Sequence, residues 1–209
     1  LNSNGGIVAD LTVNCINKNT FRIITGSSVR EHDKKHISEN LSKSTTLIDI
    51  TDSLACFGIF GPKSRDLLTE IFGEHFSKDK FKFGTAKEIL FNSKKLIFQR
   101  LSFVGELGWE IYIPLNISRD IYLEIVKVGE NYNLSHAGGH ALDIMRMEKG
   151  YLHWGHDISP AENPFEAGLE FTVKLNKEID FIGKEALKTR NRIKKKQLTN
   201  FVLEESAPG

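Results

Sequence analysis

Two carboxylates stand where strand-like patterns would otherwise be apolar. Asp10 follows Gly5-Gly6 and sits in Ile7-Val8-Ala9-Asp10-Leu11-Thr12-Val13. On a period-two strand it shares a face with Val8 and Thr12. If both faces are covered, the acid needs a partner, because an unpaired buried carboxylate is costly. An edge strand that points the acid into water is the other reading. Glu110 follows the loop Gly105-Glu106-Leu107-Gly108-Trp109. Two glycines in four residues permit tight turns or a close ligand approach. An acid just beyond them is placed to accept paired N–H donors from a heterocycle, or simply to face solvent between Trp109 and Ile111.

Other candidates carry less chemistry. His136 and His140 are four apart, and His153 and His156 three apart. Gly138-Gly139 interrupts the first pair and Trp154-Gly155 makes the second a loop, so no zinc site is expected. Cys15 and Cys56 lack an activating motif and are expected as reduced, partly buried thiols. Asp143 and Arg146 can pair on one helix face, with Glu148 falling on the apolar side. No G-x-G-x-x-G and no G-x-x-x-x-G-K-[ST] occurs.

The elements that must hold these residues read as α+β. A strand Ile7 to Ile16 and a second, Phe21 to Ile24, form a hairpin around Asn17-Lys18-Asn19-Thr20. Gly26-Ser27-Ser28 starts a polar helix through Arg30, Asp33, Ile37 and Leu41. Strands follow at Thr46 to Ile50 and Leu54 to Phe60. Pro62 opens a helix faced by Leu67, Leu68 and Ile71 and closed by Gly73. Strands Ala86 to Phe91, Leu96 to Phe103 and Trp109 to Ile113 come next. Ser118 caps a helix striped by Ile121, Tyr122, Ile125 and Val126, and another helix runs His140 to Lys149. A loop-like stretch passes Pro160 and Pro164. A last strand and a short helix lie around Phe171 to Leu187. Lys188 to Lys196 reads as a solvated linker and Thr199 to Leu203 as a strand. Strands and helices mix without strict alternation, which favours α+β over a doubly wound sheet.

Composition excludes some functions. The 209 residues are 40% hydrophobic, and 28 Lys+Arg nearly cancel 27 Asp+Glu. That balance argues against nucleic acid or an anionic membrane as partner. No apolar run approaches the roughly 20 residues that cross a bilayer. The chain begins at Leu1 without a basic-then-apolar leader and stops at Ala207-Pro208-Gly209, so a fragment of a longer protein is expected.

Taken together, the motifs resemble the folate-binding glycine-cleavage T-protein (aminomethyltransferase) family. Gly5-Gly6-Ile7-Val8-Ala9-Asp10-Leu11-Thr12-Val13 resembles its G-G-x-x-x-D-L-x-V segment, and Gly105-Glu106-Leu107-Gly108-Trp109-Glu110 its G-E-x-G-x-E loop and strand. Gly61-Pro62-Lys63-Ser64 resembles its G-P-x-[AS] helix start, and Asp180-Phe181-Ile182-Gly183-Lys184-Glu185-Ala186-Leu187 its D-F-I-G-[KR]-x-A-L. The block from Ala141 through Ile158 and the run Asn163 to Leu169 look closest to the sarcosine and dimethylglycine dehydrogenase branch, where such a domain follows an FAD domain. Ala9 and Leu142 stand where glycine-cleavage T-proteins usually have Asp and Arg, and both departures fit that branch.

The resemblance implies mixed antiparallel sheets with packed helices. It implies an aminomethyltransferase-like domain over 1–187 that lacks the family's N-terminal part. It makes 188–209 a linker and the first strand of an otherwise missing C-terminal barrel. It assigns Asp10 as catalytic, beside N10 of tetrahydrofolate, and Glu110 to the pterin ring. Thr12 and Phe103 would line the pocket, although tyrosine is commoner at the second. The function implied is capture of a one-carbon unit from N-methyl amine oxidation to form 5,10-methylenetetrahydrofolate, with any FAD in a domain outside this chain. A stand-alone aminomethyltransferase and a non-catalytic regulatory relative are the alternatives. The compartment expected is cytoplasmic, or the mitochondrial matrix in a eukaryote. Both acids are expected to be buried against one ligand.

Overall fold

A computed structural model describes residues 1–190, 196–202 and 204. The chain divides into two compact units, one built from Leu1–Val13, Ile23–Lys35 and the residues from 152 onward, the other from Asn14–Arg22 and His36–Tyr151.

The second unit is a sheet with helices on one face. Strands β3 (Leu54–Phe60), β4 (Ala86–Phe91), β5 (Lys94–Gln99) and β6 (Gly108–Pro114) take the order β3-β6-β5-β4, every pair antiparallel. Period-two alternation sends Ile59, Ile89, Leu96, Phe98, Trp109, Ile111 and Ile113 to one side, all buried. Helix α2 (Ser64–Phe72) covers them with Leu67, Leu68 and Phe72, and α3 (Leu115–Gly129) with Ile121 and Ile125. Aromatic rings lock this core edge to face: Phe72 lies 4.9 Å from Phe98 and Phe76 lies 5.5 Å from Trp109. Asn92 and Ser93 both adopt positive φ, the turn geometry a two-residue β4–β5 hairpin requires. The apolar stripe of α3 runs through Ile117, Ile121, Ile125 and Val128, while Tyr122 is exposed. Helix α3 starts at Leu115, ahead of Ser118, whose hydroxyl donates to the Leu115 carbonyl.

The first unit is loop-rich around Ile7, Ile158 and Ala167, with Leu1, Leu152, Trp154 and Leu169 packed against them. Its Gly-Gly pair has a steric reason. Gly5 sits at φ +80°, and a Cβ on Gly6 would lie 2.0 Å from the Pro160 carbonyl oxygen. Residues 7–11, expected as strand, are not one. The Ile7 N–H donates to the Glu162 carbonyl at 2.9 Å, and the Ile7 carbonyl accepts from Trp154 Nε1 at 2.8 Å. With those groups engaged by a loop and a side chain, no ladder forms. Strand β1 therefore begins only at Thr12 and runs to Asn17, paired with β2 (Thr20–Ile24).

Other expected strands also fail for want of a partner. Residues 45–50 are irregular, with Ile48 73% exposed. Around Phe171 there is only a 3-10 turn, Glu170–Thr172. Residues 199–202 carry no strand, and Leu203 lies outside the described residues. Helix α1 (Arg30–Glu39) follows a 3-10 turn at Ser27–Val29, and α4 spans Gly139–Glu148. Lys188 lies in α5 (Lys184–Arg190) and not in a linker, and 191–195 lie outside the described residues. No described helix is long and apolar enough to cross a membrane.

Candidate functional site

The chemistry of the second unit lies on the sheet face opposite its helices. Residue pairs in the antiparallel register share a face, which groups Cys56, Gly58, Ile97, Gln99, Glu110 and Tyr112 there. Gly58 and Gln99 flank Glu110 from the two neighbouring strands, and Cys56 stands opposite Tyr112. The Asn14–Arg22 hairpin segment meets this face: Asn14 Nδ2 donates to Gln99 Oε1 at 2.9 Å, and Arg22 lies 4.0 Å from Glu88.

Glu110 is half-buried. Its Oε2 accepts the Tyr112 hydroxyl at 2.5 Å. Burial, then the Glu110 charge, hold the Tyr112 phenol well above its ordinary range. Burial, and Glu110 again, push the Cys56 thiol up to about 11, a shift that a hydrogen bond with Tyr112 opposes. Cys15 and Cys56 are both exposed by area, against the expectation of partly buried thiols. Cys56 also lines a concave 460 Å³ cavity together with Phe57, Tyr122 and Leu142. Gln99 is 1% exposed and its Nε2 makes no hydrogen bond among the described residues. An unpaired buried amide donor of this kind costs about 1–3 kcal/mol.

The loop that delivers Glu110 is anchored to the end of α4. Lys149 pairs with Glu106 at 3.1 Å, and Gly105 takes φ +71° where a Cβ would meet the Lys149 side chain. Arg146, buried, binds Asp143 at 2.9 Å and donates to the Tyr151 carbonyl at 3.1 Å. The expected Asp143–Arg146 pair thus forms, and Glu148 is exposed. Phe103 is half-buried in the loop after β5.

Asp10 belongs to the first unit. It is exposed by area, not buried, and lies in the extended segment before β1; Thr12 opens that strand half-buried. Partial desolvation of the carboxyl and then the charge of Asp33 push the Asp10 pKa up. Asp33, 1% exposed, is held by the Thr25 hydroxyl and by His32 Nδ1 at 2.9 Å. His32 packs on Trp154 at 5.0 Å, and Trp154 in turn donates to Ile7. The sequence pattern missed Asp33 and Gln99. A lone polar residue in an amphipathic stretch looks like a solvated one, and only folding shows that each is sealed. Among the described residues no three His, Cys, Asp or Glu side chains gather as a metal would need. His136 instead meets the Tyr122 hydroxyl at 2.8 Å, and the His153 and His156 rings lie 4.2 Å apart.

A model of the GCVT N-terminal domain matches residues 1–177. The chain belongs to the GCVT N-terminal domain family. It is 38% identical over 191 residues to the human mitochondrial dimethylglycine dehydrogenase, covering 90% of this chain and 22% of that protein. It is 34% identical over 225 residues to the human mitochondrial sarcosine dehydrogenase, covering 100% of this chain and 24% of that protein. The chain thus spans about a quarter of the length of these relatives. The glycine cleavage system aminomethyltransferase T of Bartonella henselae shares the fold, with a TM-score of 0.80 and 20% identity over 92% of this chain and 51% of that one. The expected α+β aminomethyltransferase-like fold, with antiparallel sheets and packed helices, is therefore the one observed.

Proposed function

We propose that this GCVT N-terminal domain binds tetrahydrofolate and captures a one-carbon unit released by oxidation of an N-methyl amine, within a sarcosine- or dimethylglycine-dehydrogenase-like protein whose FAD domain lies outside this chain. The observation that supports the reading most is the Glu110 face. A half-buried carboxylate, ordered by Tyr112, stands beside an amide nitrogen in need of an acceptor. That donor set suits a flat heterocycle carrying both N–H donors and a carbonyl. Gly58, directly opposite Glu110, adds no side chain beyond its backbone.

Bound tetrahydrofolate would supply the nucleophilic amines that take up a formaldehyde equivalent, with two N–H hydrogens and the carbonyl oxygen leaving as water. Glu110, an acceptor-only group, takes the pterin N–H hydrogens and orients the ring. Asp10 orients the attacking amine at N10 and accepts its proton. The raised pKa of its carboxyl brings it nearer to the working range of a general base than an ordinary aspartate. Thr12 and Phe103 contribute pocket wall. Trp154 positions the segment that carries Asp10 through its hydrogen bond to Ile7, and the like charge of Asp33 adds to the rise of the Asp10 pKa.

The test is calorimetric titration of the intact protein with tetrahydrofolate, followed by assay of 5,10-methylenetetrahydrofolate in the presence of an N-methyl amine. Saturable one-to-one binding is expected. Absence of binding at millimolar ligand would refute the proposal.

A further inference from the structure

Gln99 ends β5 on the same face as Glu110, and the two are direct cross-strand partners. Its oxygen is already used, because Asn14 Nδ2 donates to Oε1 at 2.9 Å. That bond fixes which end of the amide is the acceptor and leaves Nε2 to donate elsewhere. Among the described residues nothing accepts from it, and the side chain is 1% exposed, so water does not compete freely for it. Buried donors are nearly always paired in folded proteins. The Trp109 and Ser102 donors are also buried and unpaired, but Trp109 sits on the helix-covered face and Ser102 lies past the end of β5.

Glu110 and Gln99 side by side present two carboxylate acceptors and then an amide donor. One edge of a 2-amino-4-oxopteridine presents the complement: an amino donor, the N3–H donor and the 4-oxo acceptor. We propose that Gln99 determines specificity for the 4-oxo substituent of the pterin, its Nε2 donating to the 4-oxo group while Glu110 accepts from the 2-amino group and N3–H. Asn14 is the positioning residue, holding the amide in the donating orientation. This inference rests on the folate reading and adds a residue and a chemical selection to it. At a buried amide a single neutral hydrogen bond discriminates well between an acceptor and a donor at one ligand position.

The experiment compares tetrahydrofolate with its 4-amino-4-deoxy analogue on the intact protein, for the wild type, Gln99→Met and Gln99→Glu. Gln99→Met is expected to weaken tetrahydrofolate about 10-fold or more and to leave the 4-amino analogue within about threefold. Gln99→Glu, which replaces the donor with an acceptor, is expected to shift preference toward the 4-amino analogue. A merely structural role would move both ligands together, so equal loss on both, or on neither, overturns the proposal. If neither variant folds, a crystal structure of the wild type with a reduced folate decides: Gln99 Nε2 within hydrogen-bond distance of the 4-oxo group supports it, and a separation beyond about 4 Å overturns it. A wild type that binds neither pteridine removes the folate reading itself, and this proposal with it. A wild type that binds tetrahydrofolate while the variants do not discriminate removes only the role of Gln99.

Discussion

Tyr112 donates its hydroxyl to Glu110 at 2.5 Å, two residues along the same strand and on the same face. Alternate residues of a strand stand about 7 Å apart at the backbone. A long phenol reaching toward a carboxylate closes that distance, and the charge gains an ordered donor without a second element.

Removing the charge at Glu110 should act on binding. Glu110→Gln keeps the shape but offers a donor where the ligand also donates. Tetrahydrofolate affinity is expected to fall about 10- to 100-fold, in line with the loss of charge-assisted hydrogen bonds. Titration calorimetry measures it, and unchanged affinity would sink the assignment.

Removing its partner should act on stability as well. Tyr112→Phe deletes the donor to a half-buried carboxylate and is expected to cost about 1–2 kcal/mol in urea unfolding. The phenol pKa is raised in the folded state, so its contribution is full below its ordinary value near 10 and is lost only as pH rises above that. Difference absorbance of wild type minus Tyr112→Phe should show no phenolate from residue 112 at pH 10. A phenolate signal at that pH contradicts the environment described.

Cys56 should be slow to alkylate despite its exposed area. With its pKa pushed from 9.0 up to about 11, the thiolate is scarce at pH 8. Its contribution to stability is full below pH 9 and fades as pH rises toward 11. Iodoacetamide labelling followed by peptide mass spectrometry should modify Cys15 well before Cys56, and Glu110→Gln should speed Cys56. Equal rates at the two cysteines would disprove this.

Asp10→Asn should separate activity from stability. The Asp10 pKa is raised, so its charged form is disfavoured by folding. Its stabilising contribution is present below the unfolded value near 3.9 and is lost as pH rises through the folded value. At neutral pH the amide should therefore leave Tm unchanged or slightly higher. Methylene transfer should drop by about two orders of magnitude or more, the scale of lost general base catalysis. A wild-type transfer rate in the variant would exclude Asp10 from the reaction.

Gly6→Ala should damage the fold near Asp10. The added Cβ would fall 2.0 Å from the Pro160 carbonyl oxygen, and backbone cannot yield as a flexible side chain can. A loss of about 1–3 kcal/mol is expected from thermal or urea unfolding. A neutral result would mean that the loop moves freely.

The sequence by itself determined the apolar alternation of β3, β5 and β6, the β4–β5 turn, the stripe of α2 and the Asp143–Arg146 pair. These are local properties: period, turn chemistry and spacing are written in neighbouring residues. Tertiary structure decided the rest. The run from Ile7 to Leu11 has every preference of a strand, yet the Glu162 carbonyl and a tryptophan 147 residues away take up the hydrogen bonds of Ile7. Residues 45–50 have the composition of a strand but no ladder to join. The burial of Gln99 and Asp33 was invisible in the sequence, because burial and partners come from register and packing. A polar side chain discloses its task only when the elements around it have shut out water.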